Sequence, residues 1–153
     1  MRPRRSSRPV ASGFTLIELV VVLAIMATAA LLVAPAVRRG AETRRLRAGA
    51  GQVAALLREA RYRAVADRRA TRVVVEARDA VSLAWDGERQ ALRRVDLPPP
   101  LRVEPVAGGP ALVFSARGLA RDARWIVEGP TGRQLAVELH GVTGRVTVSP
   151  AGS

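Results

Sequence analysis

The chain has 153 residues, enough for one modest domain behind an N-terminal extension, and its hydrophobic content of 48% is ordinary for a globular protein. With no cysteine, disulfide staples and thiol chemistry are excluded. The formal charge of +12 comes from 25 basic residues, every one an arginine, so a phosphate-binding surface has to be weighed against a composition that uses arginine throughout. The arginines are scattered through the whole chain, whereas nucleic-acid binding needs one concentrated face.

Residues 1–13, MRPRRSSRPVASG, are basic and rich in Ser and Pro, with no apolar periodicity and no packed structure expected. Losing this leader would remove Arg2, Arg4, Arg5 and Arg8 and leave a side-chain balance of +8. From Phe14 to Ala34 the chain reads FTLIELVVVLAIMATAALLVA, about the length that crosses a bilayer as a helix, with Glu18 as its only charge. A transmembrane segment is therefore expected over 14–35, with Pro35 kinking the helix or marking its exit from lipid. An ordinary secretory signal is disfavoured: the apolar run is too long, it contains an acid, and Pro35 follows the small residues near Ala34.

A helical period continues beyond Pro35 while the polarity changes. Leu46, Ala50, Val53, Leu57, Ala60 and Ala64 recur three and four residues apart, forming one apolar stripe of an amphipathic segment over 36–69. Gly40, Gly49 and Gly51 weaken its early part, by about 1 kcal/mol each relative to Ala.

From Thr71 the period drops towards two and β-branched residues appear. TRVVVEA (71–77) and VSLAW (81–85) read as strands, and Asp86–Gly87 turns the chain into RQALRRV (89–95). Pro98, Pro99 and Pro100 forbid regular pairing and mark a crossover. LRVEPV, ALVFS, ARWIVEG, QLAVELH and GRVTVS follow, separated by glycine turns. The expected fold class is α+β: a long N-terminal helix packed on a small antiparallel β-sandwich spanning 70–153, its core built from aliphatics with Trp85, Phe114 and Trp125.

The segment Gly13-Phe14-Thr15-Leu16-Ile17-Glu18-Leu19 closely resembles the processing site and helix start of type IV pilins and of type II secretion pseudopilins. The resemblance implies cleavage between Gly13 and Phe14 by a membrane prepilin peptidase, which then methylates the new amine of Phe14. Glycine before the cut lets an extended backbone approach a protease closely. Glu18 would cost about 2.5–3.5 kcal/mol within lipid unless partnered. By the same resemblance its partner is the Phe14 amine of a neighbouring subunit, a pairing that would fix axial register in a filament. Arg38, Arg39, Arg44, Arg45 and Arg47 follow the span, so charge alone does not orient it. An inner-membrane, single-pass topology with a periplasmic globular domain comes from the resemblance.

LLREARYRAVADRRATRVVVE (56–76), the Phe114 and Gly118 region, and Gly144-Arg145-Val146 are similar to the GspH/FimT family. That similarity implies a minor pseudopilin of the type II secretion pseudopilus, acting in protein export. Its implied partners are prepilin peptidase, other minor and major pseudopilins, the inner-membrane secretion platform and membrane lipid. The alternative is a FimT-like minor type IV pilin that binds DNA during transformation, for which Arg117, Arg121 and Arg124 are the candidate contacts.

An enzyme reading finds little support. His140 is the single histidine and pairs with no nucleophile in the sequence, and Asp79, Asp86 and Glu88 lack calcium-loop spacing. Gly108–Gly109 and Gly129–Gly132 lack the phosphate-cradle lysine and read as turns. No catalytic residue, metal, cofactor or small-molecule substrate is expected.

Overall fold

The computed structural model describes residues 14–152, with the side chains of 32–39 outside that description. One helix, α1 (Leu16–Ala66), precedes eight strands: β1 (Thr71–Glu76), β2 (Ala80–Trp85), β3 (Ala91–Asp96), β4 (Arg102–Ala107), β5 (Ala111–Phe114), β6 (Ala123–Glu128), β7 (Gln134–His140) and β8 (Arg145–Pro150). The chain divides into two units, Met1–Gly40 and Ala41–Ser153.

In the first unit, the described side chains from Phe14 to Leu31 are exposed. Among the described residues no helix is long and apolar enough to cross a membrane. The expected span 14–35 ends within 32–35, whose side chains lie outside the description, and Pro35, the expected kink, is among them. The backbone is assigned as helix through Pro35.

The second unit begins inside α1 and ends with two four-stranded antiparallel sheets, ordered β3-β2-β1-β5 and β4-β6-β7-β8. All six positions of the apolar stripe, from Leu46 to Ala64, are buried. They share one core with Val73, Val81, Leu83, Leu112 and Phe114 of the first sheet and with Val103, Trp125, Val127, Val137, Leu139 and Val146 of the second. Removing one such leucine costs about 2–5 kcal/mol, so the stripe fastens this half of the helix.

Two polar groups that enter the core are paired. The buried Thr71 hydroxyl donates to the Ala60 carbonyl at 3.0 Å, tying β1 to the helix. The Trp125 indole N–H donates to the Gly109 carbonyl at 3.1 Å. Of the three aromatics expected inside, Phe114 and Trp125 are fully buried, whereas Trp85 is half-buried beneath Arg69, whose Cζ lies 5.0 Å from the ring centroid. A cation over an indole face is stabilising at such a border, where the ring keeps one wet side.

The helix stops in a Schellman arrangement. Arg69 N–H donates to the Ala64 carbonyl at 3.1 Å and Arg68 N–H to the Val65 carbonyl at 3.4 Å, with Arg68 at φ 50°. Gly49 corrects a simpler expectation. A Cβ there would lie 2.8 Å from Leu101 Cδ1 and 3.3 Å from Leu97 Cδ2, so this glycine does more than loosen the helix: it admits the proline crossover. Both leucines flank Pro98–Pro100 and are buried. Strand β3 starts at Ala91, later than the pattern of 89–95 suggests, because Gly87 at φ 87° and its neighbours make a longer turn.

Candidate functional site

Two regions carry the residues singled out by sequence. The first is the start of α1. Thr15 occupies the N-cap: its carbonyl accepts from Glu18 N–H at 3.1 Å and Leu19 N–H at 3.3 Å, and its hydroxyl accepts from Glu18 N–H at 3.3 Å. Glu18 therefore stands in the first helical turn, where the helix dipole favours a negative charge. Thr15-Leu16-Ile17-Glu18 has the spacing of a capping box, a local signal that the membrane-charge argument passed over. Phe14, 78% exposed, precedes the helix, and Gly13 lies outside the described residues.

The second region is the set of arginines considered for nucleic acid. Arg124 lies on β6, where it pairs with Glu138 of β7 at 3.3 Å and donates to the Ala151 carbonyl at 2.9 Å. Arg121 donates to the Ala111 carbonyl at 2.5 Å. Arg117 is exposed in the β5–β6 connection. Two of the three thus have partners within the fold. Elsewhere Glu59 accepts from both Arg63 (3.0 Å) and Arg93 (2.5 Å). Burial pushes the Glu59 carboxyl up, but the Arg63 and Arg93 hydrogen bonds outweigh this and hold it below the ordinary carboxylate range.

His140, at the end of β7, is 73% exposed, with Nδ1 3.9 Å from Asp122 Oδ1. Asp122 Oδ1 is engaged by the Gly141 N–H at 2.7 Å. Asp79 sits in the β1–β2 turn, whereas Asp86 and Glu88 belong to the next turn, where Glu88 pairs with Arg69. Among the described residues no three His, Cys, Asp or Glu side chains are grouped as a metal would need.

Sequence reasoning missed the contacts that tie the helix to the sheets. Glu42 accepts from the Thr131 N–H at 3.1 Å and hydroxyl at 2.6 Å, and Arg133 donates to the Thr43 hydroxyl at 2.6 Å. Arg58 donates to the Val146 carbonyl at 3.1 Å. These pairs are separated by some 90 positions in the chain, and no local pattern announces them.

Residues 8–34 match the prokaryotic N-terminal methylation motif, and residues 49–152 match the family described as type II transport protein GspH. The fold is similar to that of the type IV minor pilin FimU of Pseudomonas aeruginosa (strain PAO1). In one crystal form the identity is 21% and the TM-score 0.57, over 73% of this chain and 93% of that one. In a second form the TM-score is 0.53 at 21% identity, over 70% and 94%. It is also similar to the minor pseudopilin EpsH from the type 2 secretion system of Vibrio cholerae, with 13% identity and a TM-score of 0.56 over 70% of this chain and 98% of that one. No curated protein sequence matches the chain. The helix packed on two antiparallel sheets is the pilin-like α+β fold. The family match takes in the stripe from Ala50 onward, both sheets and the turns between them, and so the chain belongs to the GspH family of type II transport proteins.

Proposed function

We propose that the chain is a minor pseudopilin, an assembly subunit of the type II secretion pseudopilus that takes part in protein export. The observation that carries this reading is the GspH match over 49–152 behind a methylation motif over 8–34. The precursor is cut between Gly13 and Phe14 by prepilin peptidase, and the Phe14 amine is methylated. Residues 14–35 insert in the inner membrane, with the domain beyond them in the periplasm and Pro35 at the far end of the span. Residues 1–13 are the removed leader, 36–69 the amphipathic helix segment and 70–153 the β-rich domain. Other minor and major pseudopilins, the inner-membrane platform and lipid are the partners.

Glu18 pairs with the Phe14 amine of a neighbouring subunit. Its place in the first helical turn, inside an otherwise apolar segment, supports this reading, since a carboxylate there needs a cationic partner. The test is Glu18→Ala in cells that assemble the pseudopilus. Normal cleavage with lost assembly is the expected outcome, and unchanged assembly would overturn the pairing. Gly13→Leu should block cleavage itself, leaving the longer precursor on a gel.

A second reading, a minor type IV pilin that binds DNA during uptake, is favoured by the charge of +12 and by exposed Arg117. It requires binding that weakens steeply with salt and is lost on charge reversal of Arg117, Arg121 and Arg124.

A further inference from the structure

On and beside the first sheet, Arg93, Arg94 and Arg69 are neutralised. Arg93 and Arg94 pair with Glu59, Glu76 and Asp96, and Arg69 pairs with Glu88. A different situation holds where the last turns of α1 face β8. There a cleft of about 580 Å³ is lined by Arg58, Arg61, Tyr62, Val65, Arg145 and Val146, with Gly144 beside them. Among the described residues none of its three arginines has a carboxylate within ion-pair distance. Arg58 is held by the Val146 carbonyl. The Arg61 guanidinium lies against Gly144, in space that any other residue's Cβ would take, and its stem runs beside Gly118. These contacts position two guanidinium forks without neutralising them.

The apolar side of the cleft is equally informative. Tyr62, the sole tyrosine of the chain, is 73% exposed here and Val65 is 49% exposed. Tyrosine and arginine together are the residue types enriched at the buried centres of protein–protein contacts. A guanidinium fork matches a carboxylate with two parallel hydrogen bonds.

We propose that this cleft is a docking site for an acidic, partly apolar segment of a partner protein, with its carboxylates on Arg61 and Arg145 and its aliphatic side chains on Tyr62 and Val65. A single-stranded nucleic acid is the less suitable occupant, since it calls for a groove of cations that tracks successive phosphates. The cleft is instead a short concavity with an apolar wall. The proposal rests on the chain working by assembly with other proteins, and it is independent of which machine that is.

The test uses the full chain in detergent micelles and a labelled short peptide of alternating glutamate and leucine. Its glutamine counterpart and a single-stranded oligonucleotide serve as competitors. The acidic peptide should bind and the glutamine peptide should not. Arg145→Glu should weaken binding by about tenfold or more, and Arg61→Lys should weaken it although charge is kept, because the fork is lost. Arg102→Glu, an equal charge change on β4 away from the cleft, should leave binding within about twofold. Arg145 is exposed, so its variant reports even where an Arg61 variant folds poorly. Equal binding of the two peptides, equal loss with Arg102→Glu, or tighter competing binding of the oligonucleotide would each overturn the proposal. Failure here leaves the Glu18 assembly test untouched, so the two readings fail separately.

Discussion

The guanidinium of Arg61 lies where a Cβ at position 144 would project, and Gly144 itself adopts a φ of 68°. Two separate demands, a left-handed backbone and an empty side-chain position, therefore meet at one residue.

Gly144→Ala should destabilise the domain by about 1–2 kcal/mol from the backbone term, with a smaller addition from displacing Arg61. Urea unfolding of Gly144→Ala alone and in an Arg61→Ala background separates the two. A cost that vanishes in the double variant would show that contact with Arg61, and not the backbone, sets the requirement.

Gly141 makes a different demand. Its φ is not left-handed, yet a Cβ would overlap the backbone carbonyl of Ala120, which cannot swing aside as a side chain does. Gly141→Ala should therefore cost at least as much as Gly144→Ala, about 1–3 kcal/mol, and should disturb the Ala120 N–H to Gly141 carbonyl bond of 3.1 Å. Hydrogen exchange at Ala120 reports that bond.

Arg68 holds the left-handed position that ends α1, with φ 50°. Arg68→Gly should raise stability by about 0.5–1 kcal/mol, because glycine adopts this conformation without the Cβ penalty. The gain is read as an upward shift in Tm, and a fall would mean that the Arg68 side chain contributes more than its backbone costs.

Glu59 bridges α1 and β3 through Arg63 and Arg93. Its pKa in the folded chain is depressed below the ordinary 4.5, so the linked stability is fully present above that value. It is lost as pH falls from about 4.5 through the lower folded value. Glu59→Gln should flatten the stability profile in that acid window and leave the slope above it unchanged, a difference visible in unfolding curves taken across the range. The carboxylate is partly solvated, so the effect is modest.

Much of the architecture is legible in the local sequence. The stripe from Leu46 to Ala64 appears as a three-and-four spacing and every member is buried, because an amphipathic helix has one face to hide. Short β-rich runs between glycine and proline breaks marked all eight strands near their final positions. The Gly13–Phe14 junction and Glu18 are likewise local patterns, readable from a few consecutive residues. Trp85 was misjudged because an apolar ring in an alternating strand does not announce that Arg69 covers its outer side.

What the sequence determined by itself, then, is what depends on neighbours in the chain: the helix and its buried stripe, the strands, the cap at Thr15 and the family motif. Tertiary structure alone decided which arginines are spent on carboxylates and which stay free. It also decided that Gly49 and Gly141 serve close approach, and that Arg58, Arg61 and Arg145 converge on one cleft. The physical reason is that ion pairing and close packing are set by distances between segments remote in the chain, whereas periodicity and capping act within a few residues.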